Sequence, residues 1–181
     1  MTVTESALTI STDERAARIG EAGAAWAARI SANVDSAKFT YKVAGEGHGS
    51  VASRITAGKQ VFFVDEPPAL AGDDIASSPV EYALGALISC QIVVYRLYAQ
   101  NLGIQVDSIS AHAEGDLDAR GLFGVDDSVR PGFSAVRLTV NVTGPETDER
   151  YEQLHAAADA HCPVLDLFAN ATPVTVTLVA N

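Results

Sequence analysis

The chain has 181 residues, of which 48% are apolar, 19% charged and 7% aromatic, a length that suits one domain with room for an extension. So large an apolar share excludes a mostly disordered chain, and a core can form without a disulfide staple. Twelve Lys and Arg against 23 Asp and Glu leave a net charge of -11, which argues against nucleic acid and anionic membrane surfaces as partners.

Met1-Thr2-Val3-Thr4-Glu5 has neither a basic nor an apolar region, so no secretory leader is expected. Ser11 and Glu14 then have capping-box spacing, and Ile19, Ala22, Trp26, Ile30 and Val34 recur at three- and four-residue steps. This predicts an amphipathic helix over 11–34 whose apolar stripe covers the main domain or a second subunit. Phe39, Tyr41 and Val43 alternate with polar neighbours as a strand, with Gly45, Gly47 and Gly49 in the turn after it. Val51, Ser53 and Ile55 form one face of the next strand, with Ala52 and Arg54 on the other. Ala57-Gly58-Lys59 reads as a hairpin turn into Val61–Val64, a strand that Pro67 and Pro68 end.

Ser78, Pro79 and Glu81 make a complete helix start, and Gly103 a matching stop. The helix between them is apolar nearly all round over Ala83–Ile88, as expected of an element buried mid-fold. Its most apolar run, Tyr82–Tyr95, contains Ser89 and Gln91 and falls short of the roughly 18–20 residues of a bilayer span. A weak strand follows over 106–113, then a Gly-rich excursion over 115–132; Glu114, Asp116 and Asp118 cluster around Gly115 and read as solvated turn residues. A clear strand follows at Val136–Val142, then a helix over 145–160 with Tyr151, Leu154 and Ala158 inward. Pro163 breaks that helix at His161-Cys162, and Val174, Val176 and Leu178 read as a last strand. Strands in blocks around a few helices define an α+β chain with antiparallel sheets.

Two residues can carry thiol chemistry. Cys90 lies inside the central helix, where a lone cysteine is commonly a small hydrophobe. Cys162 lies at a helix start, where free N–H groups and the macrodipole favour thiolate, so a lowered pKa is expected there. Two cysteines point to a reducing compartment, the cytoplasm. His48, His112, His155 and His161 show no metal-ligand spacing, and no Gly-x-Ser-x-Gly elbow occurs, so neither a metal nor another cofactor is expected.

The run Ser78-Pro79-Val80-Glu81-Tyr82-Ala83-Leu84-Gly85-Ala86-Leu87-Ile88-Ser89-Cys90 resembles the central helix of the OsmC/Ohr family of thiol peroxidases. His161-Cys162-Pro163-Val164 resembles the family's second cysteine, and Asp65-Glu66-Pro67 recurs in one branch. The resemblance covers roughly 38–181 and divides the chain into an N-terminal helical extension, 1–36, and an OsmC-like domain, 37–181. It implies antiparallel sheets around a long buried central helix in an intertwined homodimer, with an apolar pocket to which Tyr82, Leu84, Leu87 and Phe168 are candidates. It further implies that Cys90 attacks an organic hydroperoxide, that Cys162 resolves the sulfenic acid as a disulfide, and that a dithiol, such as a lipoylated protein, reduces it.

The family holds an activating Arg over the thiolate with a helix-start Glu. Here Glu81 is nine residues before Cys90, which at about 100° and 1.5 Å per residue puts them on opposite helix sides about 13 Å apart along the axis. A role for Glu81 therefore requires the second subunit, and its other reading is the capping box. No Arg occurs between Gly58 and Glu81, which leaves Arg54 as the nearest candidate, with a solvated surface residue as its other reading. Two further readings stand beside the peroxidase: a non-catalytic protein of this fold binding a small apolar ligand, and a thiol redox sensor.

Overall fold

The computed structural model of the chain describes residues 9–180; the Met1–Glu5 segment considered above lies outside them. Helix α1 spans Thr12–Ala32, and Ser11 Oγ accepts the Glu14 amide at 3.1 Å as the capping spacing predicts. No residue of α1 is buried, and Trp26 is 42% exposed. Trp26 packs against Phe39 at 6.1 Å between ring centroids, and the Arg29 guanidinium lies 4.8 Å over the indole.

Strands β1 (Val43–His48), β2 (Ala52–Ala57) and β3 (Gln60–Val64) form an antiparallel sheet in that order. Phe39 and Tyr41 precede the first strand, a correction to the expected start. Gly45 and Gly47 lie inside β1 and not in the turn. The reason is steric: a Cβ at Gly45 would sit 2.9 Å from Ile55 Cδ1, so glycine lets the β2 isoleucine cross over the strand. The β2–β3 hairpin has Gly58 at φ +60 in a two-residue loop between the paired Ala57 and Gln60.

The loop after β3 folds onto its own first residues. Asp65, buried, accepts the amides of Asp73 at 3.0 Å and Ile75 at 3.3 Å. The backbone N–H of Glu66 leads the groups that hold the Asp65 carboxyl below the usual range, against the opposing effect of burial. Gly72 packs against Glu66 so tightly that a Cβ would fall 1.7 Å from the Glu66 carbonyl oxygen. The chain leaves this loop at Ser78 and enters α2, Pro79–Leu102, which Gly103 ends at φ +62.

Strands β4 (Ser108–Asp116) and β5 (Ala135–Thr143) pair as a two-stranded sheet. Their direction is antiparallel, with Asp107 N donating to Thr143 O and Ser134 N to Asp116 O. Glu114 and Asp116 belong to β4 and not to a turn, and both engage Arg137 across the sheet. The excursion between these strands holds one short helix, α3 (Ala119–Leu122), capped by Asp118. Helices α4 (Asp148–His161) and α5 (Pro163–Ala169) follow, meeting at Cys162. The expected last strand does not form: Val174, Val176 and Leu178 lie in no strand or helix, with Val176 89% exposed. Alternation marks a segment able to pair, and pairing also needs a neighbouring strand.

The chain divides into two compact units. One holds the described residues up to Ala86 with Ala113–Thr139, the other Leu87–His112 with Val140 onward. The second contains a continuous core of Val94, Tyr95, Ala99, Ile104, Val106, Leu154, Ala158 and Cys162. Only one face of α2 is buried, through Leu87, Gln91, Val94, Tyr95 and Ala99, while Val93 and Leu97 face outward. Helix α2, at 24 residues, is by length and composition apolar enough to cross a membrane, a test that a core helix passes equally. Its buried Gln91, bonded to Asp159, marks it as a packing helix of this unit.

Candidate functional site

The two cysteines, 72 positions apart in sequence, meet in one unit. Cys90 projects half-buried from α2 and packs against the core that contains Cys162. Cys162 has extended backbone at φ -86 and ψ 109 between two helices, because Pro163 lacks an N–H and cannot continue α4. Its Sγ accepts the Leu165 amide at 3.4 Å, so the thiol itself caps α5. Both thiols are free, and Cys90 is among the neighbours that act on the Cys162 thiol.

Burial decides the electrostatics at Cys162. The side chain is 2% exposed, and desolvation pushes its thiol above the ordinary 9.0, with the neighbouring Cys90 adding to the rise. The Leu165 amide pulls the other way and loses. The expectation of a lowered pKa from the helix start is thus overturned, because the same bend that exposes N–H groups also seals the sulfur in the core.

Beside the thiols is a polar set that the sequence reading passed over. Gln91, wholly buried, donates from Nε2 to Asp159 Oδ1 at 3.2 Å, and its Oε1 has no partner. Tyr95 shares a 2.7 Å hydrogen bond with His155 Nδ1. Burial, reinforced by the Asp159 charge, raises the Tyr95 phenol to about 12. His161 stacks on Tyr98 at 4.7 Å and donates from Nδ1 to Ala157 O at 2.8 Å. The available signal was polar residues at i, i+4 spacing on both helices, Gln91 with Tyr95 and His155 with Asp159.

Glu81 and Arg54 belong to the other unit. Glu81 Oε2 accepts both the Ser78 amide and the Ser78 hydroxyl at 2.7 Å, the capping box in full. The Ser78 amide first and its hydroxyl second hold the Glu81 carboxyl below its ordinary 4.5. Arg54 is half-buried on β2 opposite Glu46 and Phe63, and its Nη1 donates to Thr56 Oγ1 at 3.5 Å. Of the pocket candidates, Tyr82 donates its hydroxyl to Phe63 O at 2.9 Å with its ring 5.2 Å from Phe62, Leu87 is buried, and Leu84 and Phe168 are half-buried. A cavity of about 320 Å³ does occur in this unit, lined by Val51, Val64, Leu70, Leu122 and Phe123 with Glu66 among them.

The family model described as "OsmC-like protein" matches residues 72–177, more than half of the chain, and the protein therefore belongs to the OsmC family. The fold is shared with an OsmC-like protein from Mycoplasma pneumoniae at 14% identity and TM-score 0.63, covering 72% of this chain and 88% of that one. An organic hydroperoxide resistance protein OsmC from Legionella pneumophila matches at 22% identity and TM-score 0.56, covering 72% and 90%. The organic hydroperoxide resistance protein OhrB of Bacillus subtilis matches at 23% identity and TM-score 0.52, covering 72% and 91%. No curated protein matches the sequence.

Proposed function

We propose that the protein is a thiol-dependent peroxidase for organic hydroperoxides, a reading carried by the packing of Cys90 against the core that holds Cys162. The half-buried Cys90 is the sulfur a substrate can reach, and the sealed Cys162 is placed to react second. The Cys90 thiolate attacks the peroxide oxygen, the O–O bond breaks, and the alkoxide leaves as alcohol on taking a proton. The resulting sulfenic acid condenses with the Cys162 thiol, releasing water and forming the disulfide. An external dithiol, such as a lipoyl group, then exchanges with that disulfide and is itself oxidised. Free thiols suit a reducing setting, the cytoplasm.

Residues 1–36 are, in this reading, an extension on an OsmC-like domain, 37–181, that assembles as a homodimer. The exposed stripe of α1 and the unpaired segment at Val174–Leu178 supply the apolar surface for association. Glu81 and Arg54 take part in the reaction only through that assembly; alone, Glu81 is a helix cap. A sedimentation mass near the monomer's 18.9 kDa at micromolar concentration overturns the dimer.

With cumene hydroperoxide and dithiothreitol, the wild type consumes peroxide, Cys90→Ser consumes none, and Cys162→Ser keeps the first oxidation but loses the disulfide. A wild type inert in this assay sinks the reading. The cavity of about 320 Å³, within the range of ligand pockets, favours a second reading, binding of a small apolar molecule without turnover. An apolar ligand in native mass spectra together with an inert wild type decides for it.

A further inference from the structure

We propose that the Gln91–Asp159 hydrogen bond is a positioning device that holds Cys90 against Cys162, an inference that rests on the disulfide step above and deepens it. Gln91 follows Cys90 directly on α2, and Asp159 precedes Cys162 by three residues on α4. A second rung lies one turn further along, where Tyr95 meets His155 at 2.7 Å, and His155 Nε2 is 3.7 Å from Asp159 Oδ2. The two rungs tie together the two helices that bear the thiols.

Around these rungs the packing is apolar, through Val94, Leu154 and Ala158. Apolar contacts are non-directional and let helices settle a fraction of an ångström either way. A hydrogen bond is directional and fixes both distance and angle. Closure of a disulfide is as exacting, with sulfurs about 2.05 Å apart and Cβ atoms about 3.5–4.5 Å apart.

Stability does not explain the glutamine. Its Oε1 is buried without a partner, and a methionine of similar volume would fill the site with no unmatched acceptor. The amide therefore acts on geometry, and Gln91 with Asp159 are positioning residues and not reacting groups.

The test is equilibration of the full chain with reduced and oxidised glutathione, followed by acid trapping and mass spectrometry. The two protein thiols give up two protons and two electrons, and each oxidised glutathione becomes two reduced molecules. Gln91→Met is expected to melt at or above the wild-type temperature while its disulfide equilibrium falls about tenfold, a potential about 30 mV higher. Asp159→Ala, at a half-exposed position, gives the same fall, and Asp159→Asn, which keeps the acceptor, stays within about twofold of wild type. A Gln91→Met protein at the wild-type equilibrium overturns the proposal, as does one whose stability falls in step with its disulfide, unless Asp159→Ala separates the two. A wild type that forms no Cys90–Cys162 disulfide overturns the peroxidase reading as well. A wild-type disulfide indifferent to all three substitutions overturns this inference alone.

Discussion

The two compact units bury their side chains very differently. Of the buried apolar residues among those described, only Val64 lies in the sheet unit, and all the others lie in the thiol unit. Strand β1 is exposed along its length and α1 buries nothing, whereas Leu154, Ala158 and Cys162 are sealed. A region that leaves its Val, Phe, Tyr and Trp side chains open has apolar surface that its own fold does not cover. The thiol unit already has its core, and that core encloses Cys162.

Core truncation is the strongest way to break the contrast. Leu154→Ala, at a fully buried position, is expected to cost about 2–5 kcal/mol in urea unfolding, while Val61→Ala on β3, 47% exposed, costs under about 1 kcal/mol in the monomer. Equal losses would mean that the sheet unit is buried in the working assembly. Gly72→Ala comes next, at about 1–3 kcal/mol, because the Glu66 carbonyl must move to admit a methyl group. Gly23, on α1, has open space at that position, so Gly23→Ala there leaves stability equal or slightly higher.

The α2 start sharpens the comparison at smaller scale. Ser78→Ala removes a reciprocal cap and is expected to lower stability by about 1 kcal/mol. Glu81 has a folded pKa below its ordinary 4.5, so its stabilising effect is present above that pH and is lost as pH falls through the folded value. Acid unfolding of Glu81→Gln should accordingly lack the part of the pH dependence that wild type shows there. The smallest effect is kinetic. Cys162 has a raised pKa, so the fold favours its thiol below 9.0 and loses that advantage as pH climbs through the folded value. Its alkylation by iodoacetamide, followed by peptide mass, should reach half-maximal rate above 9.0, and a midpoint below that value contradicts the burial argument.

Local chemistry was the legible part. Ser11 with Glu14, Ser78 with Glu81, and Gly58 and Gly103 at positive φ each state their turn or cap within a few residues, and each forms as read. What failed needed a partner distant in sequence. Gly45 sits within β1 because Ile55 crosses it, and the alternation at Val174–Leu178 finds no strand to pair with. Cys162 was legible as a helix cap but not as a buried one, and burial reversed the sign of its pKa shift. The expectation that Cys90 attacks and Cys162 resolves rests on resemblance, while Gln91 and Asp159 come together only in three dimensions.

The capping sulfur of Cys162 also ties oxidation to the stiffness of the backbone. To bond Cys90 the sulfur must come to about 2.05 Å from its partner, and the Leu165 amide it now accepts is then left with a poorer partner. Under the proposed cycle the first turn of α5 is expected to loosen when the disulfide forms and to tighten when a reductant opens it. Deuterium uptake at Leu165, faster in the oxidised chain than in the reduced one, would thus read the redox state of a buried sulfur from a backbone amide.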